Sequence, residues 1–469
     1  MRQALLLFAF WACLTVAAGA QTLAEKLDAL VSTASVLQTS EVGICVYDLT
    51  TGIPIYRYQA DKLYRPASIE KIVTAVTALS ELGKDYPYQT RLAYTGSIEE
   101  GRLKGDVYVV GGFDSEFMES DLELLADTLC RSGIRQIDGR LVGDVSMTDS
   151  VYWGKGWSWD DAPEAFQPYL SPLMLNRGCV DVTIAPGSQG AAGKVEVSPA
   201  SDYYQTDNRT LSRTPSAGRL RITRDWMEHG NRILLRGNVT SRQSTTISLY
   251  NSQAFFMETL RYQLEQKGIE TVSDSVDYAS VPAEALTIYI RRRPLEEILH
   301  RALKESDNLA AESMFYHLGM KCGHKTAGTG SKDGQKAIYR FMKDSLGLSP
   351  AEYKIVDGSG VSLYNYVSPD LIMAYLKYAY RNPRIYGPLY EALPIAGIDG
   401  TLKYRMRKGK AFRHVRAKTG TVTGICSLAG YASGISGHLY AFVIINQNVL
   451  KARQARDFQD KVCEILVSN

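Results

Sequence analysis

Charge of one sign, histidine, cysteine and long apolar runs are all scarce in this chain. Its 53 Lys and Arg nearly balance its 50 Asp and Glu, leaving a net charge of +3. That gives no basic surplus for nucleic acid or an anionic membrane. The six histidines are scattered, and no G-x-S-x-G run surrounds a serine, so a Ser-His-Asp hydrolase finds little support. His324 near Cys322 and His414 near Lys418 fit no metal-ligand spacing and read as surface or packing residues. No C-x-x-C pair occurs, so no metal site is expected. Beyond residue 20 no stretch stays apolar for the ~20 residues a membrane helix needs.

What is present is ordinary globular material, 45% apolar and 22% charged over 469 residues. At ~100–200 residues per domain, two or three domains are expected. Residues 1–20 differ from the rest: Arg2 precedes an apolar run from Ala4 to Ala18, and Ala18-Gly19-Ala20 ends it with small residues. This pattern predicts a cleaved signal peptide, with Gln21 as mature N-terminus and a soluble exported protein. Setting aside Cys13, the remaining cysteines are Cys45, Cys130, Cys179, Cys322, Cys426 and Cys463. An oxidising compartment permits them to form disulfides, and single buried thiols fit the chain equally well.

Alternating apolar residues Val42, Ile44 and Val46, then Asp48 to Gly52, predict a hairpin over 41–58. Ile72, Val73, Val76 and Leu79 recur at helical spacing and predict a helix from about Ser68 to Leu82, stopped by Gly83. Between 86 and 287 short strands dominate: Val107–Val110, Val180–Ile184, Lys194–Val197, Leu220–Thr223, Ile233–Leu235 and Thr246–Leu249, with one helix over Ala254–Gln266. The chain therefore divides into a domain made of 21–85 plus 288–469 and a β-rich insertion over 86–287. The insertion is expected to form two subdomains, about 86–165 plus 245–287 and about 166–244. Helices are predicted again over Leu295–Lys304, Leu309–Leu318, Gly334–Leu346 and Pro369–Tyr378. Strands Ser427–Tyr431 and His438–Ile445 and a helix over Ala452–Leu466 complete the chain.

Three short motifs carry candidate chemistry. Ser68-Ile69-Glu70-Lys71 is the only S-x-x-K in the chain, and opening a helix would put Ser68 and Lys71 on one face. A serine hydroxyl needs a base to become a nucleophile, and a neutral lysine amine serves. Lowering a lysine from about 10.4 to near neutrality requires burial or a second cation nearby. Taken alone, the motif reads more readily as a capped, solvated helix start. Ser306-Asp307-Asn308 is the only S-x-N; a turn would aim Ser306 and Asn308 at one point, although all three residue types also suit an N-cap. Lys418-Thr419-Gly420-Thr421 occurs once, before a strand-like stretch. Lys418 would supply the second cation, Thr419 would hold a carboxylate, and Gly420 would admit a substrate backbone. The backbone N–H of Thr421 would face a developing oxyanion. The bland alternative is an edge strand guarded by a lysine.

The order S-x-x-K, S-D-N, K-T-G is the signature of penicillin-binding proteins and class A β-lactamases. With Asp357-Gly358-Ser359-Gly360, Leu393-Pro394-Ile395-Ala396-Gly397-Ile398-Asp399-Gly400-Thr401-Leu402 and Gly143-Asp144, the chain resembles the DacB-like D-Ala-D-Ala carboxypeptidase/endopeptidases (class C low-molecular-mass penicillin-binding proteins, peptidase family S13). The resemblance implies an α/β (α+β) penicillin-binding/serine β-lactamase-like transpeptidase fold, an antiparallel sheet flanked by helices with a large β-rich insertion. It implies Ser68 as nucleophile, Lys71 as base, Ser306 as proton donor to the leaving amine, and Asn308 as a partner of both substrate amide and Lys71. Lys418 and Thr419 would bind the terminal carboxylate, and the Ser68 and Thr421 amides would form the oxyanion hole. No metal or organic cofactor is implied; the partners would be peptidoglycan stem peptides and β-lactams, in the periplasm or at the cell wall. Asp144 resembles the acidic residue that meets a diaminopimelate amino group, whereas Leu363 stands where relatives commonly carry arginine. A serine β-lactamase and a non-catalytic wall-binding module are the rival readings.

Overall fold

The computed structural model describes residues 21–469; the expected signal peptide and Cys13 lie outside the described residues. The central sheet is antiparallel, in the order Val415–Val422, Ile425–Ser433, Leu439–Gln447, Glu41–Asp48, Ile53–Tyr58. The predicted hairpin at 41–58 forms its far edge. The inner strands are apolar on both sides, so this sheet is covered on both faces. Along Leu439–Gln447, Ala441, Val443 and Ile445 join a core with helices Lys71–Glu81, Asn308–Cys322 and Pro369–Arg381. Tyr440, Phe442 and Ile444 point the other way, onto helices Leu23–Thr33 and Ala452–Val467.

The region expected to be inserted contains further sheets. Val276–Tyr278, Leu141–Asp144, Val107–Val110, Pro87–Tyr94 and Leu286–Pro294 form one of five strands, in that order. Two three-stranded sheets follow: Lys194–Ser198, Cys179–Ala185, Gln243–Ser248, and Gln205–Ser212, Arg232–Val239, Arg221–Arg224. The pairing of Leu286–Pro294 with Pro87–Tyr94 carries the insertion's sheet beyond 287. Gln243–Ser248, which crosses the expected subdomain boundary at 244/245, pairs with Cys179–Ala185.

Besides Ser252–Gln266, where one helix was expected, the insertion holds a second over Glu119–Arg131. Leu122, Leu125, Ala126 and Leu129 form its buried stripe at i, i+3, i+4 and i+7. The six cysteines from Cys45 to Cys463 are all free thiols.

Candidate active site

The expected helix from Ser68 begins instead as a 3-10 turn, Ala67–Glu70, and becomes α-helical only at Lys71. Ala67 precedes Ser68 at φ 49°, in the left-handed region. Gly360, at φ +81°, packs against the Ala67 carbonyl so closely that a Cβ there would collide with it. The Asp-Gly-Ser-Gly loop is thus pressed onto the turn that carries Ser68.

Ser68 and Lys71 are buried, and Lys71 Nζ lies 2.9 Å from Ser68 Oγ. The same Nζ donates to Asn308 Oδ1 at 2.7 Å and to the Ser359 carbonyl at 2.8 Å. Ser306 sits at φ 61°, and its Oγ accepts from Lys418 Nζ at 2.8 Å. Asp307 turns away and caps the next helix by accepting from Ala310 N. The S-D-N segment therefore caps a helix and faces Lys71 at once, and its two readings are compatible. Asn308 Nδ2 donates to the Phe166 carbonyl at 2.8 Å and lies 3.2 Å from Gln167 Oε1, so the insertion helps orient this amide.

Lys418, Thr419, Gly420 and Thr421 lie on the edge strand Val415–Val422, within it rather than before it. Thr419 Oγ1 donates to Thr401 Oγ1 at 2.7 Å. A Cβ on Gly420 would strike Ser427 Oγ and fall 2.9 Å from the Ser68 amide nitrogen. Glycine is needed at 420 because the strand lies directly against the Ser68 backbone, a constraint present before any substrate arrives. Thr421 pairs with Cys426, and its Oγ1 accepts from Arg456 at 3.4 Å.

Burial governs the electrostatics. It lowers the Lys71 ammonium to about 8, against the opposing pull of Asp357 and Glu312. Lys418 is driven well below its ordinary value, by burial first and then by the charge of Lys71. Glu70 is fully buried with neither carboxyl oxygen hydrogen-bonded, and burial raises it well above the usual carboxylate range. Burial likewise pushes Glu312 up to about 8, although it accepts from the backbone of Gly358 and Ser359.

The three motifs thus converge, as their order suggested. Asp144 does not join them. Its oxygens accept from Ser146 N and Val281 N at 2.9 and 2.8 Å, and it lines a cavity that includes no motif residue. An aspartate two residues before its partner amide closes its own turn. Asp144 is buried with one amide on each carboxylate oxygen, and the structure places it apart from the three motifs. Leu363 is partly exposed, its amide donating to Gly156 O at 3.1 Å. Sequence reasoning did not single out Glu312, Thr401 or the Ser359 carbonyl as part of this network; Ser359 and Thr401 nonetheless fall in runs that carried the resemblance.

The fold is that of a penicillin-binding protein. It superposes on penicillin binding protein 4 (dacB) from Haemophilus influenzae with TM-score 0.81 at 24% identity, covering 94% of this chain and 99% of the other. That protein has also been solved complexed with a novel β-lactam. The chain belongs to the D-Ala-D-Ala carboxypeptidase 3 (S13) family, whose profile matches residues 23–468, and it is a serine peptidase. It is 30% identical over 445 residues to the D-alanyl-D-alanine carboxypeptidase of Actinomadura sp. (strain R39), spanning 90% of this chain and 80% of that one. The D-alanyl-D-alanine carboxypeptidase DacB of H. influenzae is 27% identical over 415 residues, spanning 86% and 85%.

Proposed function

We propose that the chain cleaves peptidoglycan stem peptides, as a D-Ala-D-Ala carboxypeptidase, a D-Ala-diaminopimelate endopeptidase or both, through an acyl-enzyme at Ser68. The reading rests above all on one contact, Lys71 Nζ 2.9 Å from Ser68 Oγ with its other two partners fixed. Neutral Lys71 takes the hydroxyl proton as Ser68 Oγ attacks the carbonyl between the two residues. The negative oxygen then sits between the amides of Ser68 and Thr421, an arrangement favoured by the close approach of Gly420 to the Ser68 amide.

Ser306, backed by Lys418, delivers a proton to the departing amine as the C–N bond breaks. Thr419 and Lys418 receive the terminal carboxylate. Water then hydrolyses the ester and returns Ser68. A β-lactam forms the same ester, but its leaving group stays tethered and deacylation is slow. The predicted leader fits export to the periplasm or cell wall, and the insertion, read as two subdomains, frames the site.

The test is fluorescent penicillin on the mature wild type and on Ser68→Ala. Stable covalent label is expected on the wild type only. Undiminished label on Ser68→Ala would remove the proposed nucleophile, and rapid turnover of the drug by the wild type would favour a β-lactamase. Digestion of defined cross-linked and uncross-linked fragments then separates the two peptidase activities.

A further inference from the structure

The chain has five tryptophans, and the four within the described residues, Trp153, Trp157, Trp159 and Trp226, gather in one place. Trp153, Trp159, Tyr169, Trp226, Met227 and His229 line a cavity of about 430 Å³ on the insertion. Trp159 and Trp226 face each other at 5.1 Å and 37°, and Trp153 meets Tyr169 at 5.1 Å and 44°. Trp159 and Met227 are each 66% exposed, an arrangement that folding alone does not favour.

The cavity is also rigidly built. Arg224 is buried nearby and donates to the carbonyls of Ser248, Gly230 and Ala162 at 2.8, 3.0 and 3.0 Å, joining the two chain segments that form the walls. With that guanidinium committed, no charged side chain lines the cavity. Its polar complement is the His229 ring and the indole N–H groups. Among the described residues Trp157 alone of the tryptophans uses its N–H within the protein, on Asp357.

We propose that this cavity binds a neutral pyranose ring of the glycan strand from which the stem peptide hangs. The inference rests on the proposed substrate class. Flat aromatic walls suit the apolar face of a sugar ring, uncharged donors suit its hydroxyl and acetamido groups, and the absence of charge disfavours an ionic ligand. The cavity and the candidate active site share one short stretch of chain. Phe166, whose carbonyl holds Asn308, stands three residues before Tyr169, a separation of at most ~10 Å. The four residues between the scissile bond and the sugar of a stem peptide reach ~14 Å when extended.

Tryptophan fluorescence of the full mature protein, titrated with an N-acetylglucosamine oligosaccharide, reads this site without acyl-enzyme chemistry. Saturable quenching is expected, weakened about tenfold in Trp159→Ala and in Trp226→Ala and regained in Trp159→Tyr. The KM for a disaccharide-pentapeptide should rise by a similar factor in the alanine variants. The KM for the sugar-free pentapeptide and the penicillin acylation rate should not move. Because Trp159 is largely exposed, its truncation leaves the core intact. No saccharide binding at millimolar concentration, or equal KM changes with and without the sugar, would overturn the proposal. So would a concentration-dependent dimer abolished by Trp159→Ala, since a second copy would then cover the cavity. Loss of penicillin labelling in Ser68→Ala with saccharide binding intact would leave both readings standing, whereas saccharide binding without any peptide cleavage would sink the catalytic reading alone.

Discussion

Lys71 Nζ stands 2.9 Å from Ser68 Oγ while donating to Asn308 Oδ1 and the Ser359 carbonyl. Those two acceptors fix the amine, and burial lowers its ammonium to about 8, so the neutral base is a minor form at pH 7 and grows as pH rises. A base must be unprotonated to act. Acylation by penicillin should therefore climb about tenfold per pH unit below 8 and level off above it. Stopped-flow acylation from pH 6 to 9 measures this, and a flat profile would exclude Lys71 as the titrating base.

Ser306 is held at φ 61° with its hydroxyl on Lys418. Ser306→Ala keeps the Cβ and removes the hydroxyl. Turnover of a D-Ala-D-Ala peptide should fall by ~10²–10⁴, the usual worth of a positioned proton donor. Penicillin acylation should fall less, because its strained amide needs less help in leaving. Equal losses for both substrates would mean that Ser306 only orients Lys418.

Gly420 packs against the Ser68 amide, so Gly420→Ala tests the placement of the edge strand. The added methyl would meet Ser427 Oγ and lie 2.9 Å from the Ser68 nitrogen. Moving the strand to relieve this should lower acylation at least tenfold and cost about 1–3 kcal/mol of stability, as overpacking does. Denaturant titration and penicillin labelling together give the answer. An unchanged labelling rate would show that the strand's approach does not shape the site.

Much of this arrangement was legible because it depends on residue type and spacing. The order of Ser68-x-x-Lys71, Ser306-Asp307-Asn308 and Lys418-Thr419-Gly420 foretold a cluster, and the apolar alternation of 41–58 foretold a hairpin. The helix over Glu119–Arg131 also had its signal, Leu122, Leu125, Ala126 and Leu129, masked by the strand-rich texture around it. Other features leave no such mark. A lysine bonded to the Ser359 carbonyl has no side-chain signature at 359, since any residue offers that oxygen. Nor does the motif containing Asp144 reveal that its carboxylate accepts from two backbone amides.

Glu70 offers a test of the buried acids behind Lys71. Its folded-state pKa is raised by burial, so the folded protein holds a proton that the unfolded chain releases near 4.5. Between those values the unfolded state binds fewer protons, and stability falls as pH rises. The favourable contribution is full below about 4.5 and is lost as pH climbs toward the folded value. Glu70→Gln keeps the shape without the titration. Its melting temperature should gain on the wild type steadily from pH 5 to 8 in scanning calorimetry. A pH-independent difference would mean that the carboxyl does not titrate abnormally.

Trp157 tests how firmly the insertion governs the site. Its indole N–H donates to Asp357 Oδ2 at 2.8 Å, and Asp357 in turn accepts from Gly360 N, Ser362 N and Asn365 Nδ2 at 2.9, 2.7 and 2.7 Å. Those bonds shape the loop whose Ser359 carbonyl holds Lys71. Trp157→Phe fills most of the volume but removes one donor from a buried carboxylate, a loss of ~1–3 kcal/mol. The remaining three donors keep the loop folded, so penicillin should still label Ser68. The loosened Ser359 carbonyl should nevertheless let Lys71 wander, lowering kcat about tenfold with little change in KM, because no substrate contact is removed. A raised KM at constant kcat would place Trp157 in substrate binding instead, and unchanged kinetics would uncouple the insertion from catalysis.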